Sequence, residues 1–169
     1  MKGHQAASLV LTALLSMMTG TNNTTRADSM NIAPPTDAEI LKLFRIHHDD
    51  FVTLQRLVTE DLRAHQMSVF NQSTIAKLTS AERIVTYRKL LSIWPGLTVG
   101  ANYDGSVRFI LVTKGEAIGP GWSKGVQFFP SGARTIGTEK SSLDTPARDP
   151  GVYLRMIESE WWLFYQVDN

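Results

Sequence analysis

The hydrophobic period of the sequence changes at Pro95-Gly96, and this change limits the possible folds more than any other feature. Before it, apolar residues recur every three or four positions, as the buried face of a helix requires. After it, apolar and polar residues alternate, as they do in half-buried strands. Helices followed by antiparallel strands predict an α+β domain, with two N-terminal helices packed on one face of a curved antiparallel sheet.

The predicted domain spans residues 36–169 and contains two helices and a sheet. Its elements are a helix over about 36–62, a helix over about 80–94 and a sheet over about 97–169. Thr36 and Glu39 have the spacing of a capping box, in which each side chain satisfies a backbone amide of the other residue. Asp104-Gly105 favours the tight turn of a hairpin. This layout is similar to cystatin-like and nuclear-transport-factor-like folds, a likeness that implies no activity.

Residues 1–27 have the pattern of a secretory signal peptide. Lys2 and His4 form a short polar start, an apolar run of about fifteen residues follows, and a small polar segment ends at Ala27. The run is shorter than the roughly twenty residues of a membrane span. We therefore predict cleavage and export to the periplasm or the extracellular space, with no stable membrane span afterwards. The alternative is an uncleaved N-terminal anchor. Residues 28–35 form a linker to the domain.

Charge and cysteine content exclude several classes of function. Lys2 and Arg26 lie within the predicted signal, so the rest of the chain keeps 15 basic and 16 acidic residues. A nearly neutral chain gives no electrostatic basis for nucleic-acid binding. The absence of cysteine excludes disulfides, thiolate zinc sites and the acylated cysteine of a lipoprotein. We predict no cofactor.

The segment "IHHDDF", residues 46–51, is the richest in metal-binding side chains. Successive residues of a helix are turned by about 100°, so its two histidines and two aspartates point in four directions and do not converge on one ion. We therefore predict no metal site. His47 falls in the apolar stripe, where a neutral imidazole bonded to a neighbour is the ordinary structural role. The alternative pairs His47 with Asp50 as an oriented catalytic base.

Two further motifs lack the surroundings that their chemistry needs. "GWSKG", residues 121–125, matches the Gly-x-Ser-x-Gly of hydrolase elbows. That elbow requires a helix after the serine and a later histidine, whereas "VQFF" is strand-like and no histidine follows His65. Gly119-Pro-Gly121 lacks the ending of a P-loop, which indicates a turn. The C-terminal carboxylates have no catalytic spacing, and we interpret them as solvated surface: Glu139, Asp144, Asp149, Glu158 and Glu160.

The C-terminal hairpin carries the strongest indication of binding. Alternate residues of its last strand share a face, so Trp161 and Tyr165 point one way while Trp162 and Phe164 point the other. Both faces are therefore apolar, and two helices cover only one. Either loops of the sheet close the second face or the aromatic residues form a binding surface, since aromatic side chains are common interface anchors. The candidate binding residues are Trp161, Trp162, Phe164 and Tyr165.

The Ser-Lys-Gly segment at 123–125 and the closing hairpin "VYLRMIESEWWLFYQVD" at 152–168 resemble a loose set of small exported bacterial proteins of unknown function. The resemblance covers about the last fifty residues. This chain departs from the pattern by lacking a lipoprotein cysteine and by having Val126-Gln127-Phe128 where Tyr-Ala-Tyr is usual. Because the function of that set is unknown, the resemblance implies no function for this chain.

These observations predict a non-enzymatic exported protein that binds a macromolecular partner in the envelope or the extracellular space, as an inhibitor, immunity protein or assembly factor would. The failed catalytic motifs favour this over an enzyme without excluding one. The alternative is a small-molecule pocket between helix and curved sheet, with catalysis through His47 and Asp50.

Overall fold

Three helices pack on a curved, open sheet of seven strands in the computed structural model, which describes residues 33–78, 80–115, 121–131, 137–145 and 149–169. The helices are α1 (Asp37–Ile46), α2 (His48–His65) and α3 (Ala81–Leu91), with a 3-10 turn at Ile75–Lys77. The strands are β1 (Val69–Phe70), β2 (Thr98–Ala101), β3 (Val107–Gly115), β4 (Gly121–Phe128), β5 (Thr138–Glu139), β6 (Gly151–Glu158) and β7 (Trp161–Asp168). The predicted α+β class is confirmed.

The sheet has the order β1-β2-β3-β4-β7-β6-β5. Neighbouring strands are antiparallel except for β5 and β6, which are parallel. The two edge strands have two residues each. Segments this short show no period, so neither strand could be predicted from the sequence. The strands that do show alternation, β3, β4, β6 and β7, form the middle of the sheet and position the candidate site.

The first predicted helix is two helices in the structure. Its start forms as expected, since Thr36 Oγ1 accepts from Glu39 N at 3.2 Å and the Glu39 carboxylate accepts from Thr36 N at 2.7 Å. At His47 the backbone leaves helical geometry, with φ −114° and ψ 24°. His47 N still donates to Leu43 O, and Phe51 N donates to His47 O, both at 3.0 Å. The interruption is therefore a kink, and α2 continues past the predicted end to His65.

The remaining turn signals of the sequence lie at turns and caps in the structure. Ser80 caps α3 by accepting from Arg83 N at 3.2 Å. Gly96 and Gly105 have φ of 76° and 86°, left-handed conformations in which glycine has no steric penalty. Asp104 Oδ1 accepts from Ser106 N at 2.8 Å inside the hairpin between β2 and β3. The hairpin predicted at Asp104-Gly105 is thus confirmed.

The main core lies between the helices and one face of the sheet. Five aromatic rings fill the space beneath the kink, with centres 5.0 to 6.3 Å apart: Phe44, Phe51, Phe109, Phe128 and Trp161. Phe109 also belongs to a row of paired residues across β2, β3, β4 and β7 that is fully buried: Val99, Phe109, Val126 and Leu163. Burying each such side chain contributes about 1.5–3 kcal/mol, so this core carries the fold.

Candidate functional site

The four aromatic residues predicted to bind a partner are all buried. Trp161 and Tyr165 are 6% and 4% exposed and lie in the core beneath the helices. Trp162 and Phe164 are 8% and 0% exposed and belong to a separate cluster with Phe129. The predicted division of β7 between two faces is therefore confirmed, but none of the four is an exposed anchor. The side of the sheet that contains Trp162 and Phe164 is the side that the described helices leave uncovered.

That surface is the face of the sheet opposite the helices, which we name the outer sheet face. Residues paired across antiparallel strands point to the same side. Four rows of paired residues lie on this face: Gly100, Arg108, Gln127, Trp162 and Met156; Thr98, Ile110, Gly125, Phe164, Leu154 and Glu139; Thr113, Ser123, Gln166 and Val152; Gly121 and Asp168. The buried cluster on this side contains no residue of α1, α2 or α3. The described helices thus cover only the other face.

The apolar side chains of the outer sheet face differ in exposure. Met156 is 52% exposed, Ile110 and Val152 are half-buried, and Leu154 is buried. A Cβ placed on Gly100 would meet no atom within 4 Å, so space is open at that end of the row. The face therefore combines exposed apolar side chains with an open position.

Arg108 is the only cation among the paired residues of the outer sheet face, which also carries Asp168 and Glu139, and neutral side chains hold it. Its Nε and Nη2 donate to Gln127 Oε1 at 3.2 and 3.0 Å, and its Nη1 donates to Gln166 Oε1. Its guanidinium carbon lies 4.7 Å from the ring centre of Phe164, a cation–π contact. Burial lowers the pKa of Arg108, and the charge of Asp168 opposes that shift. The guanidinium nevertheless stays protonated at neutral pH.

No carboxylate among the described residues bonds Arg108 directly. Asp168 acts on it through Gln166, whose Nε2 donates to Asp168 Oδ1 at 2.7 Å. A guanidinium has five N–H donors, and three of them are used in the bonds above. Two donors are therefore left without a described partner. This arrangement has the chemistry to bind an anionic group, since arginine pairs best with planar carboxylates.

A second charged cluster lies on the helix side of the sheet, beneath the start of α1, and we name it the buried ion cluster: Asp37, Lys124, Asp144 and Arg155. Lys124 is 0% exposed, and its Nζ lies 2.9 Å from Asp37 Oδ1, an ion pair without hydrogen-bond geometry. The same Nζ lies 3.3 Å from Asp144 Oδ1. Asp144 was interpreted as solvated surface, and its side chain is 45% exposed; it also pairs with Lys124 because residues 143 and 144 fold against α1.

Asp37 is the centre of the buried ion cluster. Its Oδ2 accepts from Leu143 N and from Arg155 Nη1, both at 2.8 Å, and its own amide donates to Asp144 Oδ1 at 2.6 Å. Burial alone would raise the pKa of Asp37, but the hydrogen bonds from Leu143 and Arg155 and the nearby charge of Lys124 outweigh it and lower the pKa. Two acids and two bases compensate one another: Asp37 and Lys124 are buried, whereas Asp144 and Arg155 are 45% and 34% exposed. The cluster therefore joins distant segments of the chain.

The Ser-Lys-Gly segment has a structural role at each position. Ser123 lies in the middle of β4 with 9% exposure, so it forms no nucleophile elbow. Lys124 belongs to the buried ion cluster. Gly125 lies opposite a bulge of β3, where an added Cβ would be 2.0 Å from the carbonyl oxygen of Phe109. Of the glycine-proline turn before it, residues 119 and 120 lie outside the described residues.

His47 and Asp50 form the pair considered as a catalytic base, with His47 Nδ1 and Asp50 Oδ2 2.9 Å apart. Their side chains are 32% and 37% exposed. His47 was expected within the buried stripe, but the kink places it at the helix junction, at the edge of the core. Neither side chain makes a further hydrogen bond to a described residue. The pair therefore has an oriented imidazole and no described group for it to activate.

The other residues of the segment point elsewhere, as a helical arrangement requires. His48 Nε2 lies 3.0 Å from Glu158 Oε1, and its ring packs edge-on against Phe44 with centres 5.2 Å apart. Glu158 was interpreted as solvated surface; its side chain is 49% exposed, and this bond also joins it to α2. Within the ranges that the structure describes, no three histidine or acidic side chains form a metal-binding group.

The space where a pocket was considered, between the helices and the sheet near His47, is filled by the five aromatic rings of the core. A cleft of about 410 Å³ lies instead beyond the end of α2. Its lining residues are His65, Gln66, Met67, Lys77 and Leu78. Neither member of the His47–Asp50 pair lines this cleft, so the pair and the cleft do not form one site.

No family model, curated protein or solved structure matches the chain. The resemblance of the C-terminal segment to small exported proteins therefore stays a prediction. The predicted signal peptide, residues 1–27, lies outside the described residues. Among the helices that the structure describes, none has the length and apolar character needed to cross a membrane.

Proposed function

We propose that this protein is an exported binding protein without catalytic activity, and that a protein partner lies on its outer sheet face. The observation that carries this proposal is the set of exposed apolar side chains on that face, which no described helix covers. Met156 is 52% exposed on β6, and Val152 of β6 and Ile110 of β3 are half-buried. Exposed apolar residues around a buried floor are typical of interfaces, where the centre of the contact excludes water.

The shape of the face supports a macromolecular partner over a small molecule. Small-molecule sites are concave and bury most of the ligand, whereas the outer sheet face presents side chains of several adjacent strands side by side. Arginine and aromatic residues are enriched where interfaces bind most strongly. Arg108 above Phe164 provides this combination.

The test is a photo-crosslinking amino acid placed at Met156 in the full chain, expressed in its own source. The matched control is the same amino acid at Val85, an apolar residue of α3 that is 64% exposed. We expect an added protein mass from position 156 and none from position 85. Equal crosslinking from both positions, or none from 156, would contradict the proposal.

Export has its own measurement, a mass spectrum of the chain recovered from its source. We expect a protein that begins after Ala27, found in the periplasmic or extracellular fraction. An intact chain recovered with the membrane would support the anchored alternative and contradict cleavage.

A second candidate function is a catalytic or ligand-binding site at His47 and Asp50. The specific observation in its favour is the 2.9 Å bond that orients the imidazole. If a folded His47→Ala protein retains every ligand and activity detected for the wild type, this candidate is removed.

A further inference from the structure

We propose that Arg108 is a carboxylate-binding site, and that the segment of the partner lying on the outer sheet face is therefore acidic. The inference rests on the proposed function for the partner, and on the geometry of Arg108 for the carboxylate. Its components are the guanidinium, the two glutamines that hold it and the ring of Phe164.

The first argument is the pairing of the arginines. Three arginines of the described chain are half-buried: Arg83, Arg108 and Arg155. Arg83 bonds Asp61 with its Nε and Nη2, both at 3.0 Å, and Arg155 bonds Asp37 at 2.8 Å. Arg108 alone of the three bonds only amide oxygens. A partly desolvated cation without an anionic partner gains more from an incoming carboxylate than a fully solvated one does.

The second argument is that the guanidinium is already held in place. Gln127 is 4% exposed and accepts two of its bonds, Gln166 accepts a third, and Phe164 supports its plane from below. A free arginine side chain loses rotational freedom when it binds an anion. Here that loss has occurred on folding, so binding of a carboxylate costs less.

The charge of the face favours a carboxylate over a phosphate chain. Arg108 is the only cation among the paired residues of this face, and the chain beyond the signal carries 15 basic against 16 acidic residues. Nucleic acids bind through many cations at once. A single cation within an apolar face fits an acidic side chain flanked by apolar residues.

The experiment titrates the purified chain lacking residues 1–27 with two acetylated peptides, one of alternating leucine and glutamate and one of alternating leucine and glutamine. The readout is the Nε–H resonance of Arg108 in a ¹H–¹⁵N spectrum, assigned by its loss in Arg108→Gln. We expect a saturable shift with the glutamate peptide and at least tenfold weaker binding of the glutamine peptide. Equal affinity for both peptides would overturn the carboxylate assignment, and so would tighter binding of inorganic phosphate.

Four variants identify the source of the effect, with binding followed by backbone amide shifts because the Arg108 resonance is absent from two of them. Arg108→Gln should abolish binding and Arg108→Lys should weaken it. Gly100→Val alters the strand on the side of β3 away from Gln127 and Gln166, and should bind like the wild type. Arg63→Gln, an exposed arginine of α2, is a second control and should also bind like the wild type. Unchanged binding by Arg108→Gln would overturn the site.

Failure of this inference is distinguishable from failure of the proposed function. If the partner crosslinks to position 156 while no carboxylate probe acts on Arg108, the binding face stands and the acidic segment is wrong. If the glutamate peptide binds at Arg108 while nothing crosslinks to position 156, the carboxylate site stands and the macromolecular partner is wrong.

Discussion

The two faces of the sheet differ in how their buried cations are paired. On the helix side, Lys124 lies among two aspartates, and Arg155 completes a neutral set. On the outer side, Arg108 is held by two glutamines and a phenyl ring, with no direct acidic partner in the described chain. The first arrangement uses charge to join segments of the chain. The second fixes a charge in position while leaving it able to bind an anion.

This difference provides a way to distinguish charges that stabilise the fold from charges that are available for binding. Removing one partner from a buried ion cluster leaves an uncompensated charge and costs about 3–5 kcal/mol. Removing a charge that bonds only neutral groups leaves no opposite charge unpaired. Stability measurements therefore distinguish the two faces, and the predictions below are ordered from the largest expected effect to the smallest.

The largest effect is expected from Asp37→Ala. It removes the acceptor of Lys124, Leu143 and Arg155, so a fully buried lysine loses its closest anion. We expect a loss of about 3–5 kcal/mol in the free energy of unfolding, measured by urea denaturation.

The matched control is Asp49→Ala. Both aspartates lie in the first turn of a helix, but the side chain of Asp49 is fully exposed. We expect a much smaller change there. Similar losses in the two variants would mean that helix-terminal charge, and not the buried ion cluster, explains the role of Asp37.

The second prediction concerns Gly100 and Gly125, which lie on the two strands next to β3. In Gly125→Ala, the new Cβ would lie 2.0 Å from Phe109 O and 3.1 Å from Leu111 N. Because both contacts are to backbone, β3 and β4 must separate, and we expect a loss of about 2–3 kcal/mol. Gly100→Ala meets nothing within 4 Å and should leave stability unchanged or slightly higher. A comparable loss at Gly100 would show that its position is closed.

The third prediction is the acid sensitivity of the buried ion cluster. The pKa of Asp37 is below its ordinary value of 3.8, because hydrogen bonds and Lys124 outweigh burial. A group with a lowered pKa in the folded state stabilises fully above its unfolded pKa, and that stabilisation is lost as the pH falls through the folded pKa. We expect wild-type stability to fall more steeply than that of Asp37→Asn below about pH 5.

Glu39 and Glu60 also have lowered pKa values, through hydrogen bonds from Thr36 and from Arg83 respectively. Both are present in the wild type and in Asp37→Asn, so their contributions cancel in the comparison. Parallel curves of unfolding free energy against pH would show that Asp37 does not cause the acid loss.

The sequence predicted those parts of the fold that depend on local pattern. The period change, the capping box at Thr36, the turn at Asp104-Gly105 and the alternation of β7 all involve residues close in the chain. The kink at His47 was missed because neither proline nor glycine marks it. The apolar spacing also continues through the kink, from Phe44 to Phe51.

The buried ion cluster could not be derived from the sequence, since Asp37 bonds a residue 118 positions away. Tertiary packing alone decides which charges meet. A signal for Lys124 did exist, because a lysine inside a central strand buried on both sides must find an anion. Arg108 had a signal as well. It shares its face with Ile110 on an alternating strand, so a charge lies where the pattern is otherwise apolar.

The smallest effect is expected from Arg108→Gln, and it tests the comparison most directly. Glutamine keeps a polar group opposite Gln127, and no carboxylate loses a direct partner. Hydrogen bonds from a charged group contribute about 1.5–3 kcal/mol each, and the new amide side chain can replace some of them. We therefore expect a loss of about 1–2 kcal/mol in urea denaturation, with an unchanged dependence on denaturant. A loss as large as that of Asp37→Ala would make Arg108 a structural charge like Lys124. A small loss accompanied by weakened binding of the glutamate peptide would assign its charge to recognition, because the fold does not then depend on it.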